Sequence, residues 1–135
     1  MIVDSSALLA ILFNETDAHV HAEAIAKAQS AQISAANWLE TAIRIDHGGS
    51  AIASSALDDL VREASITISP VTAEQVTIAR QAYRAYGKGT GHPAQLNFGD
   101  CFSYALAKST GEALLFKGED FLKTDIQPAL HHQAR

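Results

Sequence analysis

The chain is poor in the residues that mark secreted, membrane-spanning or linker-rich proteins. Its 135 residues include one cysteine and only three prolines. A single cysteine cannot form an intramolecular disulfide, which indicates a reducing compartment. No apolar run is long enough to span a bilayer, and no basic segment precedes the apolar N-terminal residues as it does in a secretory signal. We therefore expect a cytoplasmic protein that does not enter the membrane.

Basic residues are also scarce, with 10 lysines and arginines against 15 acidic residues and a formal net charge of −5. This balance argues against a nucleic-acid binder that uses a broad basic surface. It remains compatible with an enzyme that reaches a polyanion through metal ions held by carboxylates. The hydrophobic content of 47% and charged content of 19% are those of a globular domain. We expect one domain over residues 1–128 and a C-terminal tail over residues 129–135.

Short apolar stretches alternate along the chain with longer amphipathic ones. The apolar stretches predict strands at residues 2–3, 32–34, 66–68 and 113–116, with a possible last strand at 125–127. The amphipathic stretches predict helices at 5–13, 17–29, 36–47, 50–64, 72–86 and 98–110, with a short helical turn at 120–123. The glycine-rich segment 87–93 predicts a flexible loop. This alternation indicates an α/β protein, a three-layer α/β/α domain with a central parallel sheet of four to five short strands.

Asp4 directly follows the first predicted strand and precedes an apolar helix. In an open α/β sheet, ligands bind at the carboxyl ends of the strands. Asp4 therefore lies where a site would be built. The ordinary alternative is that it only caps the helix, because aspartate is a favoured N-cap residue.

Three further acids occupy comparable positions in other strand–helix units: Glu40, Asp100 and Asp120. Each also has an ordinary explanation, a helix cap for Asp100 and Asp120 or a pair with Arg44 for Glu40. In a doubly wound sheet, however, all of these positions point toward the edge that holds Asp4. The sequence therefore predicts one cleft that contains four carboxylates.

Crowded carboxylates repel each other and raise at least one pKa unless a cation neutralises them. A set of oxygen ligands without His or Cys favours Mg²⁺ or Mn²⁺ over Zn²⁺. Such a metal can activate water and clamp phosphodiester oxygens. Without a nucleophilic Ser or Cys paired to a base, the cluster indicates metal-assisted hydrolysis.

Three segments of the chain resemble the PIN domain, specifically the VapC toxins of bacterial VapBC toxin–antitoxin pairs. They are VDSSA at residues 3–7, NFGDC at 97–101 and KGEDFLKTDI at 117–126, and Glu40 lies between the first two. The resemblance in order and spacing extends to about Pro128. It implies a Mg²⁺- or Mn²⁺-dependent ribonuclease that cleaves RNA, with tRNA as the expected substrate, and that a cognate VapB antitoxin neutralises.

The family pattern also implies a role for individual residues. Ser6 would hydrogen-bond within the site, and Thr124 would support the fourth acid. Glu119 either shares the metal role or faces solvent. The metal-site acids would be Asp4, Glu40, Asp100 and Asp120.

Three cations are candidates for contact with RNA phosphates: Arg44, Lys88 and Lys117. The alternative is that they are solvated charges, or in Arg44 a partner of Glu40. We expect a homodimer. The apolar faces of segments 5–29 and 50–64 suit either a dimer or antitoxin groove or simple packing on the sheet.

Two other functions fit the sequence less well. One is a PIN-like module that binds RNA or protein without cleaving. The other is a Mg²⁺-binding phosphoacceptor signalling domain, which needs an acceptor aspartate at the end of its central strand. Here the third strand ends in Ser69-Pro70.

Overall fold

A computed structural model describes residues 1–130 of the chain. Within residues 1–130, four strands form a sheet: β1 (Ile2–Val3), β2 (Ala31–Ser34), β3 (Ile66–Ser69) and β4 (Leu114–Leu115). The described part of the chain also contains six α-helices, which connect the strands: α1 (Ser5–Leu12), α2 (Ala18–Lys27), α3 (Ala35–His47), α4 (Ala51–Glu63), α5 (Ala73–Tyr86) and α6 (Phe98–Thr110). A 3₁₀ helix, Asp120–Lys123, follows β4. The predicted helices and the first four predicted strands are present, and their ends differ from the prediction by a residue or two.

All strand pairs are parallel, in the order β3-β2-β1-β4. Strand β1 is therefore central, and the strand order reverses beside it, because β2 pairs on one side and β4 on the other. Such a reversal opens a crevice at the carboxyl ends of the strands. Asp4 lies at this point.

The sheet is covered on both faces, which explains why β1 and β4 are continuously apolar. Ile2 and Leu114 pack with helices α5 and α6 in one core cluster. Val3 and Leu115 point the other way, into a second cluster that includes residues of α1, α2 and α4. This confirms the predicted three-layer α/β/α fold. No helix among residues 1–130 is both long and apolar enough to cross a membrane.

The possible fifth strand is reduced to one parallel bridge between Leu114 and Pro128. The amide of Leu114 donates to the carbonyl of Gln127, and the amide of Ala129 donates to the carbonyl of Leu114. Pro128 has no N–H with which to extend this ladder. The remainder of the predicted tail, residues 131–135, lies outside the described residues.

The segment predicted to be a flexible loop is held by its own hydrogen bonds. The amide of Lys88 donates to the carbonyl of Leu96, and the amide of Leu96 donates to the carbonyl of Tyr86. The ring of His92 packs edge-on against Tyr86, with centroids 5.0 Å apart. The flexibility was predicted from the glycines alone, whereas these hydrogen bonds and the ring contact hold the segment against the end of α5 and Leu96.

Candidate active site

Asp4 is both a helix cap and a buried acid at the carboxyl end of β1. It is the N-cap of α1, and its Oδ2 accepts from the Ser6 amide at 3.0 Å and from the Ser6 hydroxyl at 2.6 Å. Its Oδ1 accepts from the Ser103 hydroxyl at 2.5 Å. The side chain is only 4% exposed, and this burial raises its pKa above the usual value. The capping and active-site explanations are therefore compatible.

Two hydroxyls orient Asp4, and only one of them was predicted. Ser6 was expected within the site, and its Oγ also accepts from the amide of Lys117 at 2.9 Å, which joins α1 to the end of β4. Ser103 is completely buried on α6 and was not predicted. The available signal was its place one helical turn after Asp100, on the same face of the helix.

Glu40 lies on α3, and neighbouring side chains direct its carboxylate toward α6. Oε1 accepts from the Ser5 hydroxyl at 2.6 Å and from Nδ2 of Asn37 at 3.4 Å. The same Nδ2 donates to the Gly99 carbonyl at 2.9 Å. Ser5 and Asn37 were not predicted as site residues. Asn37 lies one turn before Glu40 on the same helix face, which was the signal for it.

Gly99 provides the space for Glu40 beside α6. A Cβ atom at residue 99 would lie 2.2 Å from Oε2 of Glu40, far inside van der Waals contact. Glycine therefore allows a carboxylate from α3 to reach the first turn of α6. This turn also carries Asp100, so the small residue brings the two acids toward one another.

Asp100 is part of a complete capping box at the start of α6. Its backbone amide donates to Oδ1 of Asn97 at 2.9 Å, and its Oδ2 accepts from the Asn97 amide at 3.0 Å. Burial raises the pKa of Asp100 to about 7, and the charges of Asp4, Asp120 and Glu40 contribute to the rise. The hydrogen bond from the Asn97 amide lowers the pKa of Asp100 and offsets only part of this rise. Asp100 therefore lies in the electric field of the other three acids.

Asp120 is exposed at the first position of the 3₁₀ helix, and its connection with the site is electrostatic. Thr124 ends this helix. Its hydroxyl donates to the carbonyl of Phe121 at 2.7 Å and accepts from the amide of Ile126 at 3.2 Å. Thr124 thus stabilises the turn that carries Asp120. Glu119 is exposed and makes no side-chain cap bond.

The four acids share a donor chemistry that suits a hard cation, although they are not drawn together. Within residues 1–130, no three His, Cys, Asp or Glu side chains are close enough to form a metal site as they stand. All four donors are carboxylates, which Mg²⁺ and Mn²⁺ prefer. The Glu40 carboxylate that Gly99 admits beside α6 and the raised pKa of Asp100 also fit a cation that relieves the repulsion. The residues therefore fit the predicted ion in chemistry and in charge.

Comparison with known proteins shows the family. The PIN-domain family matches residues 1–127. Ribonuclease VapC28 of Mycobacterium tuberculosis is 51% identical over 130 residues, which cover 96% of this chain and 98% of that protein. Ribonuclease VapC of Mycolicibacterium smegmatis is 48% identical over 126 residues, which cover 93% of this chain and 97% of that protein. This chain belongs to the PIN-domain VapC family.

A solved structure shows the same VapC fold. The crystal structure of Mycobacterium tuberculosis VapC20, described as a toxin that cleaves the sarcin-ricin loop, matches with a TM-score of 0.71. The match covers 93% of this chain and 95% of that one at 17% sequence identity. This likeness concerns the fold. Family membership leaves no support for the phosphoacceptor signalling alternative.

The three cations proposed for RNA contact have different surroundings in this VapC-family chain. The guanidinium of Arg44 lies 5.6 Å from the ring centre of Phe13. Lys88 is exposed, and its carbonyl accepts from the Tyr83 hydroxyl at 2.9 Å. The ammonium of Lys117 is bonded to two carboxylates. Contact of any of the three with RNA stays a prediction.

Proposed function

We propose that this VapC-family chain is a Mg²⁺- or Mn²⁺-dependent endoribonuclease that hydrolyses RNA phosphodiester bonds. The observation that carries the proposal is geometric: on α6, Gly99 admits the Glu40 carboxylate beside Asp100, and Ser103 one turn later bonds Asp4. Burial raises the pKa of Asp100 to about 7, and the charges of Asp4, Asp120 and Glu40 add to the rise. A protein that keeps such an arrangement gives up stability unless a cation binds there. The relatives named as ribonucleases support the choice of RNA as substrate.

Asp4, Glu40 and Asp100 would hold the principal ion, and Asp120 would complete the site or bind a second one. When bound, a divalent ion polarises the scissile phosphate and lowers the pKa of a water ligand. The protein's part is to hold the carboxylates still. Serine hydroxyls bond both oxygens of Asp4, and Oε1 of Glu40 is bonded by Ser5.

Asp100 gives cation binding a pH dependence. A carboxyl with a pKa of about 7 is partly protonated at neutral pH in the metal-free protein. A cation can bind it only as the carboxylate, so binding releases a proton. Affinity should therefore rise with pH until Asp100 is ionised.

We further propose that the chain is the toxin of a type II toxin–antitoxin pair and acts on tRNA in the cytoplasm. A VapB-type antitoxin would neutralise it. Four large apolar side chains are exposed on α3, on α4 and at the end of α1, and they offer surface for the antitoxin or for a homodimer: Phe13, Leu39, Ile43 and Ile52. Co-expression with a small open reading frame found directly upstream, followed by co-purification and light scattering, tests both partners.

The decisive test of function is to map RNA 5′ ends in cells after brief induction of the wild type and of Asp100→Asn. We expect new 5′ ends at a few positions, concentrated in tRNA, with the wild type alone. Asn keeps an oxygen that can accept from the Asn97 amide, so the capping box and the fold should persist.

Other outcomes contradict separate parts of the proposal. The same ends with both proteins would refute the role of Asp100. No new ends with a folded wild type would favour a PIN-like module that binds without cleaving. Reproducible ends outside tRNA would keep the nuclease and change its substrate.

A further inference from the structure

Lys117 connects the segment after β4 with the turn that follows α1. It is the second residue after β4, and its ammonium pairs with Glu15 and, at 3.2 Å, with Asp17. Glu15 and Asp17 belong to the turn between α1 and α2. We call Glu15, Asp17 and Lys117 the Lys117 bridge. It ties this turn to the segment that leads into the 3₁₀ helix.

The turn that receives Lys117 is itself anchored in the interior. Oδ2 of Asp17 lies 3.1 Å from Nε2 of His21, and His21 is only 2% exposed on α2. Bonds from Lys117 and His21 lower the pKa of Asp17 despite its partial desolvation. Asp17 is therefore held from two sides, by a buried ring and by the ammonium.

The backbone of Lys117 leads from this anchor to the site. Its amide donates to Oγ of Ser6 at 2.9 Å, and the Ser6 hydroxyl donates to Oδ2 of Asp4 at 2.6 Å. Asp120 follows three residues later. Displacement of the Lys117 backbone would thus disturb one of the two hydroxyls that orient Asp4 and would also move the segment that carries Asp120.

We propose that Lys117 is a positioning residue for Asp4 and Asp120, which rests on the metal-dependent activity proposed above. Its positive charge is surrounded by two negative ones, so the Lys117 bridge as a whole offers no attraction to a phosphate. The role in RNA contact predicted for Lys117 is then replaced by one inside the protein. The side chain fixes its own backbone, and the backbone fixes Ser6.

Two readouts in purified protein test the inference, and they are independent of RNA cleavage. The first is amide hydrogen exchange at residue 117 in EDTA, which reports the bond to Ser6. The second is Mn²⁺ affinity, measured from the electron paramagnetic resonance signal of free Mn²⁺. The variants are Lys117→Met, Lys117→Arg and the double change Glu15→Gln with Asp17→Asn.

We expect Lys117→Met to lose about three- to tenfold of the exchange protection at residue 117, which corresponds to about 0.7 to 1.4 kcal/mol of local opening. Its Mn²⁺ affinity should fall about 3- to 10-fold, the low end of outer-shell effects because the bridge is partly exposed. Lys117→Arg should restore both values. The double variant at residues 15 and 17 should match Lys117→Met, and adding Lys117→Met to it should change nothing further.

Lys27→Met is the matched control, because Lys27 pairs with Glu23 on the exposed face of α2. It should leave both readouts at the wild-type values. Thermal melts of every variant verify folding. If Lys117→Met has a much lower Tm than the wild type, the test rests on Lys117→Arg, which should keep both readouts at the wild-type values.

Unchanged exchange and unchanged Mn²⁺ affinity in Lys117→Met would overturn the inference. A second result would also overturn it: Mn²⁺ affinity that is unchanged in Lys117→Met, together with RNA binding that depends less on salt. For a single-stranded RNA oligonucleotide, a slope of log K against log salt that is lower by about 0.7 indicates the loss of one phosphate contact. A wild type that binds no Mn²⁺ refutes the proposed metal site instead, and the exchange measurement then still decides whether Lys117 positions Ser6.

Discussion

Replacing Asp100 by asparagine should stabilise the metal-free protein, and the gain should depend on pH. The pKa of Asp100 is about 7 in the folded chain against 3.8 for a free aspartate. The folded state therefore binds the proton more tightly than the unfolded state does. Stability is lost as pH rises from about 4 to 7, and the loss remains constant above that. Asparagine carries no charge and escapes this loss.

The size of the stability gain follows from the difference between the pKa of Asp100 in the folded chain and that of a free aspartate. A shift from 3.8 to about 7 corresponds to at most about 4 kcal/mol. Solvent at the partly exposed carboxyl reduces this value, and loss of a charge near the N-terminus of α6 costs about 0.5 kcal/mol. We expect Asp100→Asn to gain about 1 to 2 kcal/mol at pH 8, which raises Tm by about 4 to 8 °C. At pH 5 the gain should be less than half as large.

The assay is thermal and urea unfolding in EDTA at pH 5 and pH 8, followed by circular dichroism. Asp58→Asn is the matched control, since Asp58 is exposed on α4 and distant in sequence from the four acids. Adding Mg²⁺ should stabilise the wild type and not Asp100→Asn, because a ligand stabilises only the state that binds it. An Asp100→Asn variant that is less stable than the wild type at pH 8 in EDTA would refute the proposed repulsion.

Two further changes test how the carboxylates are held. Ser103→Ala removes a hydrogen-bond donor to buried Asp4 and should raise the pKa of that acid further. The free energy of unfolding should therefore fall by about 1 to 2 kcal/mol at pH 8 and by less at pH 5. In Ser109→Ala, on the same helix, urea unfolding should show a change below about 0.5 kcal/mol, and equal losses in both variants would contradict the role of Ser103. Gly99→Ala should displace Glu40 and lower Mn²⁺ affinity at least about tenfold, with Tm within a few degrees of the wild type because a flexible side chain can move aside. Unchanged affinity would show that Glu40 does not need this approach.

The positions of the four acids along the chain were predictable, because strand and helix signals are local. Asp4 follows a strand, and Asp100 and Asp120 lie in the first turn of a helix. Glu40 lies in the second turn of α3, and parallel strands bring such positions toward one edge of the sheet. Burial raises the pKa of Asp100, and the charges of Asp4, Asp120 and Glu40 add to the rise. Their role as metal ligands stays a prediction.

The side chains that orient these acids could not be predicted in the same way. Ser103 meets Asp4 across 99 residues of sequence, and Ser5 meets Glu40 across 35. Serine is common at caps and on surfaces, so residue type alone does not select a partner. The spacing from Asp100 to Ser103 marks a shared helix face and does not identify Asp4 as the partner. Lys117 illustrates the same limit. Sequence alone does not show that its ammonium pairs with Glu15 and Asp17, and its contact with RNA stays a prediction.

The most direct test of the central claim is cleavage of tRNA by the purified protein, followed on denaturing gels with Mg²⁺ and with EDTA. The acids of the cleft are proposed to act through a divalent cation, so the wild type should cut only with Mg²⁺ or Mn²⁺. Asp100→Asn, purified identically, should be at least about 100-fold slower. Equal cleavage in EDTA, or by Asp100→Asn, would contradict the account.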